Sequence, residues 1–217
     1  MSNEILSFRA LPPSDETPVL VFDLGNVLVR LHSVVRLWRD QLVMPGERPF
    51  EERWSHSQAI LDYETGRLKT LDEFYEAAKP ELGFEVPRAE FTEIFRQMIG
   101  ELFAETIPVL TALKEVYPLF LLSNVGEEHW QYCRDQLGLS GFFTDTVLSY
   151  EVGVMKPDPQ IYNLLLARCK CDPQRVLYFD DRVENVAAAR RQGIQALTCL
   201  GGPPLIANLQ RLKLIGD

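Results

Sequence analysis

Five short apolar runs without polar alternation, at 19–22, 119–122, 146–148, 176–179 and 196–200, constrain most what this chain can become. A strand with one wet face alternates apolar and polar residues, so runs of this kind belong to strands covered on both sides. Between the later runs, residues 105–116, 127–137, 159–168 and 183–192 carry helical periodicity. Strand alternating with helix predicts an α/β fold: a parallel sheet with helices on both faces. The boundary residues agree. Asp158 precedes Pro159, a capping carboxylate ahead of a proline at the first helical position, and Gly193 stands where the helix from 183 should stop.

The interval from 31 to 103 has no such run. Helix-like stretches at 34–42, 50–63, 71–78 and 88–102, separated by Pro45-Gly46, Gly66 and Pro87, predict an all-helical insertion after the first strand. The expected organisation is a polar surface tail over 1–18, carrying Pro12, Pro13 and Pro18, an α/β core over 19–30 and 104–217, and the helical insertion over 31–103. A length of 217 residues suits one core with an attached module, and 46% hydrophobic with 24% charged residues excludes collagen-like, low-complexity and disordered classes. No apolar run approaches the ~20 residues that span a bilayer, and the first residues lack the basic-then-apolar pattern of an export signal. A cytoplasmic protein with no membrane partner is expected. The 31 acidic against 22 basic residues, a net charge of −9, disfavour nucleic acid as a partner. Cys133, Cys169, Cys171 and Cys199 have neither zinc-site spacing nor a disulfide framework, so reduced thiols are expected. Oligomeric state is left open.

Open parallel sheets bind ligands beyond the carboxyl ends of their strands. The first run is followed by Asp23-Leu24-Gly25-Asn26-Val27, the second by Ser123-Asn124, and the fourth by Asp180-Asp181 with Asn185 one turn later; Met155-Lys156-Pro157-Asp158-Pro159 follows the third after a short connection. Each signal alone reads as a cap, a turn or a solvated lysine. Together they bring three carboxylates, a hydroxyl, an amide and an ammonium to one sheet edge, where the carboxylates repel unless a cation joins them. Hard oxygen donors without His or Cys favour Mg²⁺, which prefers a phosphate partner. Lys156 and the Ser-Asn pair can supply charge and donors to that phosphate, and an aspartate beside it is a competent nucleophile.

These segments, in this order, resemble the haloacid dehalogenase superfamily of phosphatases. The stretches at 22–28, 122–124, 156–162 and 179–181 are most similar to the branch that holds bacterial sugar-phosphate phosphatases and the amino-terminal domain of soluble epoxide hydrolase. The resemblance covers about residues 19–201 and implies a Rossmann-like three-layer core with a helical cap over the active site. It implies Asp23 as nucleophile and metal ligand, the Gly25 carbonyl as a second ligand and Asp181 completing a Mg²⁺ site. Ser123, Asn124 and Asn26 would bind substrate, Lys156 would neutralise the phosphoryl group, and Asp180 and Asn185 would support them. The division of labour between Asp180 and Asp181 stays open. The implied partner is a small phosphorylated metabolite, with sugar phosphates among the candidates.

The chain departs from the family pattern at Gly25, where most phosphatases of the superfamily carry a second aspartate as general acid. A positioned acid is worth roughly 10²–10⁴-fold. Three outcomes are open: substrates with good leaving groups, a cap residue that takes over the proton (His32, His56 or Glu64), or a phosphate-binding or interaction domain with little turnover. A metal-free dehalogenase is disfavoured by Asp180-Asp181. A Schiff-base route would need a cap lysine, and Lys69 and Lys79 both read as solvated. The aromatics Trp38, Trp54, Phe74, Tyr75 and Phe95 fall at helical spacings and are expected to form the core of the insertion.

Overall fold

Strands β1 (Val19–Phe22), β4 (Leu119–Ser123), β5 (Asp145–Leu148), β6 (Val176–Asp180) and β7 (Gln195–Thr198) form one sheet in the order β5-β4-β1-β6-β7. The computed structural model describes residues 6–13, 17–33 and 50–216. Every neighbouring pair is parallel, and Val21 lies opposite Phe120 on one side and Tyr178 on the other. Residues alternate between two cores. Leu20, Phe22, Leu121 and Phe179 enter one, and Val19, Val21, Phe120 and Tyr178 the other. Both faces are dry, which is why these strands read as continuous apolar runs. Each fully buried Leu or Phe contributes roughly 1.5–3 kcal/mol over an exposed one.

The helices are α1 (Phe50–Ser55), α2 (Gln58–Glu64), α3 (Leu71–Leu82), α4 (Arg88–Arg96), α5 (Thr106–Lys114), α6 (Glu127–Asp135), α7 (Ser149–Val152), α8 (Pro159–Cys169), α9 (Val183–Arg191) and α10 (Pro203–Arg211). α5, α6 and α10 cover the first core, and α8 and α9 the second. α8 starts as its sequence requires, with the Asp158 carboxylate accepting from Gln160 N at 2.8 Å and Pro159 in the first turn. The result is a Rossmann-like α/β sandwich. β1 leads to β4 and β5 on one side, and the chain then crosses to β6 and β7 on the other. The switch point falls between the carboxyl ends of β4, β1 and β6.

α1–α4 build a third core from Phe74, Phe91, Phe95, Tyr63, Tyr75 and Leu82, with the Tyr75 hydroxyl donating to Val86 O at 2.7 Å. Trp54 packs against it as expected; Trp38 and the helix expected over 34–42 lie outside the described residues. The stretch expected as one helix over 50–63 is two. Ser57 caps α2 by accepting from Ile60 N, and the Glu81 carboxylate holds Gln58 N and Ala59 N.

The expectations for the insertion need correction. The helix expected over 88–102 ends at Arg96, and β3 (Ile99–Leu102) pairs antiparallel with β2 (Val29–Leu31) where the insertion leaves and rejoins the core. Phe91, Ile94, Phe95, Ile99 and Leu102 keep helical spacing, but pairing of Leu31 with Ile99 and Val29 with Leu102 overrides it. The insertion is thus not purely helical. Residues 6–13 lie at the surface, none of them buried, and are tied to the core. Leu11 N donates to Leu214 O and Gly216 N to Arg9 O, both at 2.9 Å, and Phe8 and Ala10 pack on the first core. α7 and α10 were not expected at all.

The helical insertion is seated on the core by close contacts. A Cβ on Gly126 would lie 2.2 Å from the Tyr63 ring, and one on Gly66, whose φ of +67° favours glycine, would lie 2.1 Å from Tyr150 O. Arg96 pairs with Glu128 at 2.6 Å, and His129 stacks on Phe95 at 4.1 Å with Nε2 bonded to Phe95 O at 2.8 Å. Burial pulls the His129 imidazole down to about 4 from 6.5, against the Phe95 carbonyl and Glu128. The unfolded chain therefore takes up a proton below 6.5 that the native state refuses until about 4. Stability from this group is fully present above that window and is lost on acidification through it, by roughly 3 kcal/mol. Urea midpoints at pH 7 and pH 4.5 should fall further for the wild type than for His129→Gln. Equal slopes would refute the assignment.

Candidate active site

The centre is Lys156. Its Nζ lies 2.7 Å from Asp23 Oδ1, 2.8 Å from Asp180 Oδ2 and 3.1 Å from Leu122 O, so all three ammonium donors are engaged. Asp23 follows the end of β1, Leu122 lies near the end of β4, and Asp180 closes β6. The three central strands thus converge on one cation. Burial alone would lower the Lys156 pKa, but Asp23 and Asp180 outweigh it and the net direction is up. Asp23 is held above the usual carboxylate range by burial, with Asp180 and Asp181 pushing the same way and Lys156 opposing. Oxygens of Asp23, Asp180 and Asp181 lie within 4.8 Å of one another.

Asp180 and Asp181 differ plainly. Asp180 is fully buried and accepts from Lys156 Nζ, the Tyr178 hydroxyl, Arg182 N and Asn185 Nδ2. Burial would raise its pKa, but Lys156, the Tyr178 hydroxyl and Arg182 N pull it down. Asp181 is half-buried, lines the cavity and accepts from Asn26 Nδ2 at 3.0 Å. Asp180 therefore orients Lys156, while Asp181 remains open to a ligand.

Asn124 and Asn26 both line the cavity, and each also holds a neighbouring segment. The Asn124 side chain donates to Lys156 O at 2.9 Å and accepts from Lys156 N at 2.8 Å, clamping the lysine's loop to β4. Asn26, with φ of +55°, donates to Asp181 and accepts from Leu31 N at 3.2 Å, so it positions Asp181 and ties the loop to β2. Ser123 is buried at the cavity wall, as is Asn185. Gly25 lines the cavity, and a Cβ there would lie 2.7 Å from Leu31 Cδ1. Leu31 fills the space where a side chain at position 25 would begin.

The cavity over this cluster has a volume of about 600 Å³, within the usual range for small-molecule sites. α1, α2 and their connecting turn supply its roof: Trp54, Ser55, His56, Gln58, Leu61 and Glu64. Ser55 ends α1 and Gln58 opens α2, and polar residues at helix ends carry no motif that would mark them as cavity lining. Tyr178 could have been found, because strand residues two apart share a face and Asp180 follows it by two. Lys69 and Lys79 do not line this cavity.

The parallel sheet, the carboxylate–lysine cluster at its switch point and the roofed cavity define a hydrolase built on a Rossmann-like core. The chain belongs to the haloacid dehalogenase-like hydrolase family, whose sequence profile matches residues 17–193. It is 24% identical over 189 residues to the D-ribitol-5-phosphate phosphatase of Bacteroides thetaiotaomicron, covering 81% of this chain and 88% of that one. It is 30% identical over 135 residues to the bifunctional epoxide hydrolase 2 of Mus musculus, covering 57% of this chain but only 24% of that protein. A haloacid dehalogenase family enzyme from Bacteroides thetaiotaomicron, crystallised with magnesium and inorganic phosphate, superposes with a TM-score of 0.72 at 25% identity, covering 86% of this chain and 96% of that one. No described helix is long and apolar enough to cross a membrane.

Proposed function

We propose that this chain is a Mg²⁺-dependent phosphatase that hydrolyses a small phosphorylated metabolite, a sugar phosphate being the favoured class, through an aspartyl-phosphate on Asp23. The observation that carries this reading is the buried Asp23–Lys156 pair, 2.7 Å apart on the floor of the cavity. Lys156 Nζ and Leu24 N both engage Asp23 Oδ1, and neither uses Oδ2. Oδ2 is the oxygen assigned to attack phosphorus. Lys156 offsets the phosphoryl charge, and the Ser123 hydroxyl donates to a phosphoryl oxygen.

Three carboxylates against one ammonium leave the cluster with excess negative charge, and its donors are all oxygen. That set suits Mg²⁺, with Asp23, Asp181 and the Gly25 carbonyl as the residues to hold it. When bound, the ion would offset both carboxylate repulsion and phosphoryl charge. Residues 31–103 act in this reading as a cap that excludes water. Ser55, His56 and Gln58 offer polar contacts to hydroxyls, and Trp54, Ile60 and Leu61 cover carbon. The phosphatase that shares 24% identity with this chain acts, by its name, on a phosphorylated polyol, which supports that substrate class.

The test is a screen of aryl and sugar phosphates with Mg²⁺ and with chelator. Phosphate release should fall by about 10²-fold or more on metal removal, the rate equivalent of several kcal/mol. Halide release from 2-haloacids that survives chelation, with no phosphate release from any ester, would overturn the proposal.

A further inference from the structure

Phosphoryl transfer from an alkyl ester needs a proton donor for the leaving oxygen, and Gly25 has no side chain to give one. The cavity holds one carboxyl outside the lysine cluster. Glu64 closes α2, lines the same cavity as Asp23 and Lys156, and among the described residues no hydrogen bond or ion pair engages it. Each histidine lining the cavity already has one ring nitrogen engaged. His32 Nδ1 is bonded to Gln97 O and His56 Nδ1 to Glu52 O, both at 2.8 Å, and the His129 ring is held by Phe95.

We propose that Glu64 is the general acid and base of this enzyme, working from the cap in place of the carboxylate that Gly25 lacks. This rests on the phosphatase reading above. In the first step Asp23 Oδ2 attacks phosphorus, the ester P–O bond breaks, and the leaving oxygen takes the Glu64 proton. In the second, water gives a proton to the Glu64 carboxylate and attacks the phosphorus of the aspartyl-phosphate. The P–O bond to Asp23 breaks, inorganic phosphate leaves, and Asp23 is again a carboxylate with Glu64 again an acid. The environment suits a group that must gain and lose a proton near neutrality. Burial in the cavity pushes the Glu64 pKa to about 7, with Arg182 and Lys156 opposing, and its place at a helix C-terminus disfavours the anion as well. His56, Arg182, Asp23 and Asp181 line the same cavity.

The experiment compares wild type with Glu64→Gln on p-nitrophenyl phosphate and on glycerol phosphate. The variant should lose on the order of 10²-fold or more in kcat/KM on the alkyl ester but less than about tenfold on the aryl ester, whose leaving group needs little protonation. With the aryl ester it should also release a burst of nitrophenol equal to the enzyme, because the second step has lost its base. The aryl arm reports that the variant is folded. Equal losses on both esters, no loss on either, or a wild type that cleaves only the aryl ester would each overturn the assignment. If the wild type forms no phosphoenzyme, or Asp23→Asn keeps its activity, the phosphatase reading fails instead.

Discussion

Asp23→Asn should reduce phosphatase turnover by on the order of 10⁴-fold or more, the scale on which loss of a nucleophile acts in covalent catalysis, and should leave the protein at least as stable. The amide keeps the shape of the carboxylate and an oxygen for Leu24 N. It lacks the charge to attack phosphorus. The stability argument follows from the direction in which the fold moves this group. Burial raises the Asp23 pKa above its unfolded value of 3.8, so folding favours the protonated form. Such a group stabilises most at low pH and loses that contribution as pH rises through its folded value. At pH 8 in chelator the wild type therefore holds a strained carboxylate that the asparagine relieves, while Lys156 keeps Asp180 as partner. Thermal melts and turnover measured on one preparation check both halves. Residual turnover within tenfold of wild type would show that the chemistry lies elsewhere.

The trade of stability for function at Asp23 is the pattern expected where like charges are gathered for catalysis. It also explains what could be read from the sequence. Val19–Phe22, Leu119–Ser123 and Val176–Asp180 announced themselves because a strand buried on both faces has no room for polar residues, and the reactive groups follow directly where those runs stop. Asp23, Ser123 and Asp180 were therefore legible as a constellation before any contact was known. Contacts that join distant segments were not. Asn26 meets Asp181 across 155 residues and Asn124 meets Lys156 across 32, so that each amide holds a distant neighbour is decided only by loop geometry. Ile99–Leu102 misled for the same reason: its local spacing is helical, and a partner strand some 70 residues away decides otherwise. Asp180 and Asp181 could not be separated from sequence, because adjacent residues at a strand end point to opposite sides and the sequence does not say which side is wet.

Lys156→Met tests the other half of the cluster. Methionine matches the length of the lysine stem but leaves Asp23 and Asp180, at 2.7 and 2.8 Å from the ammonium, without their shared cation in a nearly waterless site. Breaking a buried pair by removing one partner costs about 3–5 kcal/mol, and melts in chelator should show that loss. Turnover should fall by roughly 10²–10³-fold with Mg²⁺ present, since a preorganised charge aimed at the transferring group has been removed. The two effects have different owners, which a second change separates. Lys156→Met/Asp180→Asn removes the charge left unpaired while its amide oxygen can still accept from Arg182 N, so it should recover much of the stability and none of the turnover. Lys156→Arg should rescue neither, because a planar fork cannot place three donors on Asp23, Asp180 and the Leu122 carbonyl as a tetrahedral ammonium does. A single variant that melts with the wild type and turns over within tenfold of it would reduce Lys156 to filler. A double variant that recovered turnover together with stability would show instead that the lysine acts on the fold alone and never on the phosphoryl group.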